Sequence, residues 1–202
     1  MITTIVNTKL FDPFLPGKLI SSAHNCVESF EYFSAKYCKI DHPINGTLHL
    51  NLNDLQKDMK SSVILNSEDL VEKFYPRQSG KTTFLFAYAV YQALFFHKHV
   101  LFATHQNYPN IEYEKLEKLF SEGSELRVLA DFITNGIKFI GKNKIEFLNG
   151  GSITFIKNNQ CITGMSYDLV LVDEFDFMEK TAYELIKTRS THKVIAFSTA
   201  NN

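Results

Sequence analysis

From residue 48 onward the apolar positions fall into runs of two kinds. Thr82 to about His97 is apolar on most faces and long enough to be a buried helix. Val100–Ala103, Asp168–Val172 and Lys193–Phe197 are short and almost uninterrupted, the pattern of parallel strands covered on both faces. Between them Ile137–Ile140, Ile145–Leu148 and Ser152–Ile156 alternate apolar with polar positions. The last two are joined by Asn149-Gly150-Gly151, whose Asn-Gly supplies the positive φ angles of a tight hairpin. Asn53–Met59 predicts a helix start, with Asn53 or Asp54 accepting from the free N–H groups of the first turn. The β-branched run Ser62–Asn66 predicts a strand, continued irregularly over Ser67–Phe74, and Tyr113–Phe120 predicts an amphipathic helix. Strands alternating with helices predict an α/β fold, a mostly parallel sheet flanked by helices with an inserted β-hairpin. Before residue 48 the pattern is weaker. Pro13, Pro16 and Gly17 interrupt it, Val27–Tyr37 predicts a helix, and no chemistry is legible. Residues 1–47 are therefore taken as a segment of unclear role, and 48–202 as the core.

Composition narrows the class. A chain of 202 residues, 45% of them hydrophobic, suits one well-packed domain. A formal charge of -1 means that no basic field covers the surface, so any nucleic-acid contact must be local. Lys138, Lys142, Lys144 and Lys157 flank the hairpin and could touch phosphates, although ordinary solvated strand faces explain them better. Cys26, Cys38 and Cys161 are scattered, form no CxxC pair, and read as buried or idle thiols; the His residues show no metal-ligand spacing. The first residues lack the charge and apolar pattern of a signal peptide, and no apolar run approaches the ~20 residues of a membrane helix. The expectation is a soluble intracellular protein without a membrane partner.

Three short motifs carry chemistry. In Tyr75-Pro76-Arg77-Gln78-Ser79-Gly80-Lys81-Thr82 the closing Gly-Lys-Thr has the parts of a phosphate-binding loop: close backbone approach at Gly80, a cation at Lys81, and a hydroxyl for Mg²⁺ at Thr82. The general formula GxxxxGK opens with Gly, and Tyr75 stands in its place. Far downstream, Leu169–Val172 runs into Asp173-Glu174. A carboxylate pair at a buried strand's end suits metal binding through water by the first and polarisation of the attacking water by the second. Ser198-Thr199-Ala200 follows another apolar strand, and its hydroxyls can bond a γ-phosphate or a catalytic water. Together the motifs predict a P-loop ATPase using Mg·ATP.

From Leu48 to the end, these segments resemble the ATPase domain of the large terminase subunit of tailed bacteriophages. That family is a motor that packages double-stranded DNA into proheads. It typically lacks the first P-loop Gly and carries an Arg-Gln pair before Gly-Lys, as Arg77-Gln78 does here. The resemblance implies a RecA-like P-loop NTPase fold with ATP bound by Pro76, Arg77, Gln78, Ser79, Gly80, Lys81, Thr82 and Thr83. It implies Mg²⁺ at Thr82 and, through water, Asp173, with catalysis by Glu174, Lys81 and Arg77, the last as an arginine finger. Leu50–Met59 is similar to the family's adenine-recognition segment, with Gln56 reading the base through its amide. Ser198-Thr199-Ala200 matches the coupling motif. Implied partners are DNA, the portal protein, the small terminase subunit and further copies in a ring, in the host-cell cytoplasm and outside the finished virion. Thr163 stands where the family often has Arg, and Asn201 where Pro usually follows the coupling motif. The sequence stops at Asn202, before the family's lid and nuclease, and is expected to be a fragment or split gene product.

Two other classes compete. Asp173-Glu174-Phe175-Asp176 spells a DExD box, as in helicase-type translocases, but the Arg-Gln pair and the hairpin favour the terminase. A non-catalytic nucleotide-gated adaptor would bind Mg·ATP without turning it over.

Overall fold

Seven strands order the molecule around one edge. The computed structural model describes residues 15–42, 46–105, 114, 117–141, 143–157 and 164–200. Its helices are α1 (Leu15–Glu28), α2 (Phe30–Tyr37), α3 (Asp54–Ile64), α4 (Lys81–Phe96), α5 (Glu125–Thr134) and α6 (Lys180–Lys187). A small antiparallel pair, β1 (Lys39–His42) and β2 (Gly46–His49), stands apart from the main sheet. The main sheet contains β3 (Leu70–Tyr75), β4 (His99–Thr104), β5 (Ile137–Gly141), β6 (Lys144–Phe147), β7 (Ser152–Lys157), β8 (Tyr167–Asp173) and β9 (Ser190–Thr199), in the order β3-β9-β8-β4-β7-β6-β5. From β3 to β7 every neighbouring pair is parallel; β6 and β5 extend the sheet antiparallel. The expected α/β architecture, mostly parallel with a hairpin, is what forms.

Strand alternation divides the apolar side chains between two faces. In β4, Val100 and Phe102 join the core under α4, whereas Leu101 and Ala103 join the opposite core with Val170 and Val172 of β8. Tyr183 and Ile186 of α6 cover that second face. Helix α4 is buried nearly all round because it lies between the sheet and helices α2, α3 and α5. Phe30 and Phe33 of α2 enter the same core, stacking edge-on against α4: Phe30 meets Phe84 at 5.5 Å and Tyr91 at 5.2 Å between ring centroids. Such aromatic pairs add to the stabilisation from buried area alone.

Several local expectations change. Ser62–Asn66 is not a strand: Ser62 to Ile64 close α3, and the strand entering the phosphate loop is β3, Leu70–Tyr75. Gln56, Met59 and Val63 recur at helical spacing and form the buried face of α3, and this burial overrides the β-branched preference. Asn53 is the helix cap, with a reciprocal bond from its backbone N–H to Gln56. Lys193 Nζ donates to Val63 O at 2.8 Å and Asn66 O at 2.6 Å, closing the other end. The helix expected over Val27–Tyr37 is broken at Ser29, whose hydroxyl caps α2 by accepting from Tyr32 N. Ser152–Ile156 does not alternate: β7 lies between β4 and β6, and all five residues are buried. Cys26 and Cys38 are buried free thiols, and burial pushes Cys26 up to about 12. Cys161, Thr163, Lys142, Asn201 and part of Tyr113–Phe120 lie outside the described residues.

The β6–β7 turn docks on the end of α4. Asn149 Nδ2 donates to Leu94 O at 2.9 Å, and a Cβ placed on Gly151 would lie 2.0 Å from Ala93 O. Gly151→Ala is therefore expected to cost about 3 kcal/mol, the upper range for forced overpacking. Chemical denaturation would check it; an unchanged midpoint would mean that the turn does not sit against the helix.

Candidate active site

The register of the sheet collects the functional side chains. Tyr75 pairs with Thr199, Phe197 with Asp173, and Asp173 with Thr104, so β3, β9, β8 and β4 end side by side. Open α/β sheets bind ligands at such carboxyl ends. Between β3 and α4 the chain makes a tight loop, with Gln78 at φ 60° and Gly80 at φ 82°. The loop is braced from α3: Gln56 Nε2 donates to Gly80 O at 3.2 Å, and a Cβ on Gly80 would lie 2.4 Å from that nitrogen. The positive φ favours glycine at 80, and a larger residue there would displace the amide end of Gln56 from the loop. Tyr75 is tied to the same helix, its hydroxyl donating to Asp58 Oδ2 at 3.0 Å. Burial pushes the Tyr75 phenol up to about 12, which keeps it a donor.

Lys81 begins α4 and is 5% exposed. Its Nζ donates to Thr199 Oγ1 at 3.1 Å and to Pro76 O at 3.4 Å, and lies 3.4 Å from Glu174 Oε1. Thr82 Oγ1 donates to Asp173 Oδ2 at 2.7 Å, joining the two motifs directly. Ser79 Oγ is buried with no hydrogen-bond partner among the described residues. Thr83 is the next residue of α4 and partly buried. Asp173 and Glu174 point differently for a conformational reason. Side chains alternate along β8, but Glu174 adopts φ 57° and ψ 52°, in the left-handed region. That costs of order 1 kcal/mol. It turns the carboxylate onto the end of β9, where it accepts from Thr199 N at 2.9 Å, Thr199 Oγ1 at 2.7 Å and Ser198 Oγ at 3.3 Å. Ala200 N donates to Tyr75 O, fastening β9's end to β3.

A cavity of about 400 Å³ opens here, lined by Arg77, Gln78, Lys81, His105, Glu174, Phe177 and Thr199. Arg77 is exposed and makes no hydrogen bond or ion pair among the described residues, leaving its guanidinium available to a ligand. Gln56 is 4% exposed, with Oε1 accepting from Asn53 N and Nε2 given to the loop. Reading a base would require it to leave one of these partners. The structure adds His105 and Phe177, which belong to none of the three motifs. Their only signal in the sequence is position, just after one buried strand and just after the carboxylate pair. Of the hairpin lysines, Lys138 and Lys144 both pair with Glu146.

Residues 74–202 match the family described as terminase large subunit, T4likevirus-type, N-terminal. The chain belongs to this family. The helicase-type alternative therefore falls. Among solved structures, the large terminase of bacteriophage HK97 superposes with a TM-score of 0.67 at 16% identity, covering 85% of this chain and 37% of that one. A variant of the large terminase ATPase domain of Thermus phage P74-26 gives 0.49 at 15% identity, covering 74% and 66% respectively. At such identities the HK97 likeness is one of fold, and this chain spans little over a third of that terminase's length. Terminase ATPase domains use nucleotide. In this member the residues fit a nucleotide's phosphates and cation: a buried hydroxyl and ammonium at the loop, and an adjoining hydroxyl and carboxylate. A hard cation such as Mg²⁺ takes one or two protein oxygens and completes its shell with waters and phosphate oxygens. Thr82 and Asp173 supply that donor set.

Proposed function

We propose that this terminase domain hydrolyses ATP and that the turnover drives double-stranded DNA into a viral prohead. The observation that carries the reading is the joining of Lys81, Thr82, Asp173, Glu174 and Thr199 at the ends of adjacent strands, on a loop braced as a phosphate cradle. In this scheme the loop N–H groups and Lys81 bind the β- and γ-phosphates, Lys81 exchanging its bonds to Pro76 and Thr199 for phosphate oxygens. Thr82, and Asp173 through water, would hold Mg²⁺. The ion supplies charge neutralisation at the phosphates when bound. Glu174 orients the attacking water and accepts its proton, and Arg77 offsets charge growing on the transferred phosphoryl group. Ser198 and Thr199 bond Glu174 directly, so a change in its engagement is passed to β9. Gln56 braces the loop and, on releasing Gly80, meets the base.

By family membership the proposed partners are DNA, a portal protein, a small terminase subunit and further copies in a ring, with the work done in the host-cell cytoplasm. No helix among the described residues is long and apolar enough to cross a membrane.

The test is Mg·ATP binding by calorimetry and phosphate release with and without double-stranded DNA. Binding with turnover that DNA stimulates is expected. Binding without turnover would favour the adaptor, and no binding would end the proposal.

A further inference from the structure

One wall of the cavity is unused by this scheme. His105 directly follows β4, one residue past Thr104, the last β4 residue in register with β8. It is exposed and lines the same cavity as Arg77, Lys81, Glu174 and Thr199. Its ring centroid lies 5.9 Å from that of Phe177, with the planes inclined by 34°. Phe177 closes the 3-10 turn that begins at Phe175, one residue after Glu174, and is itself 45% exposed. A large apolar ring left open to solvent beside an imidazole restricts where that imidazole can go. The donor thus held at the end of β4 shares a cavity with two cations and the hydrolytic carboxylate.

The chemistry of that wall is selective. An imidazole presents an N–H donor whether neutral or protonated, whereas phosphoryl oxygens only accept. Glu174 is already engaged by Thr199, Ser198 and Lys81. Across the cavity, the part of a nucleotide that approaches Glu174 is the terminal phosphoryl group, since the attacking water must lie between them. A donor that lines one cavity with Glu174, Lys81 and Arg77 therefore faces the γ-phosphate end of the nucleotide and not the base.

We infer that His105 is a terminal-phosphate contact that distinguishes the triphosphate from the diphosphate, with Phe177 as its positioning residue. The inference rests on the ATP-binding reading above and deepens it. Both are exposed, so neither fills the core.

The experiment is calorimetric titration of a non-hydrolysable ATP analogue and of ADP, each with Mg²⁺, into the wild type and its variants. For His105→Ala the analogue is expected to bind about tenfold more weakly, the scale of one hydrogen bond to a charged oxygen. ADP affinity is expected to stay unchanged. His105→Gln, which keeps an N–H donor, should recover part of the loss, and Phe177→Leu should show a smaller loss in the analogue alone. Equal weakening of both nucleotides, no change in either, or weaker double-stranded DNA binding alone would overturn the assignment. Lys81→Ala separates the two levels. If the wild type binds neither nucleotide, the ATPase reading fails. If it binds both, Lys81→Ala abolishes binding, and His105→Ala matches the wild type, only the role of His105 fails.

Discussion

Glu174→Gln is expected to lower the steady-state rate of ATP hydrolysis about 10³-fold, within the range that a positioned general base contributes. Mg·ATP binding should persist. The substitution keeps the shape of the side chain, and its amide oxygen can still accept from Thr199 N, so the end of β9 stays in place. What is lost is the ability to take a proton from water. The Lys81 ammonium also loses its anionic neighbour at 3.4 Å, which frees it for phosphate. Rapid-quench phosphate release with calorimetric binding on the same sample would check both halves. Turnover within tenfold of wild type would mean that another group activates the water, and the left-handed conformation at Glu174 would then need a different explanation.

The second large effect concerns stability. Phe30→Ala is expected to cost about 4 kcal/mol, the usual range for emptying a buried phenylalanine site. For a chain of this size that is a fall in Tm of roughly 8–16 °C. Phe30 is 2% exposed and meets Phe33, Phe84, Tyr88 and Tyr91, so its removal opens a hole between α2 and α4 that no single neighbour can fill. The phosphate loop lies at the start of the same α4. A thermal melt followed by both circular dichroism and nucleotide protection would test the link. A Tm unchanged by the substitution would show that α1 and α2 are not part of one cooperative core with the sheet.

Much of the site can be read from local pattern alone. Gly80, Lys81, Thr82, Asp173 and Glu174 are legible because phosphate and metal chemistry demands particular side chains at fixed spacing from a strand or helix end. The strands Val100–Ala103, Asp168–Val172 and Lys193–Phe197 are legible because double-sided burial leaves an uninterrupted apolar run. Ser62–Asn66 misleads because a β-branched run is compatible with either period, and the deciding fact is that Gln56, Met59 and Val63 share one buried face. The interior character of β7 is hidden for a similar reason: Ser152 and Thr154 look like outward positions, yet both are covered once β4 and β6 flank the strand.

The sequence by itself thus determined the fold class and marked the candidate phosphate loop and carboxylate pair, since these follow from local periodicity and from which atoms the chemistry needs. Tertiary structure alone decided what those residues touch. It placed Thr199 between Lys81 and Glu174, turned Glu174 onto β9 through one left-handed residue, tied Gln56, expected to read the base, to the loop, and put His105 in the cavity that Glu174 lines. Each of these contacts joins residues far apart in the chain, and strand order and register, which no local pattern encodes, set their distances.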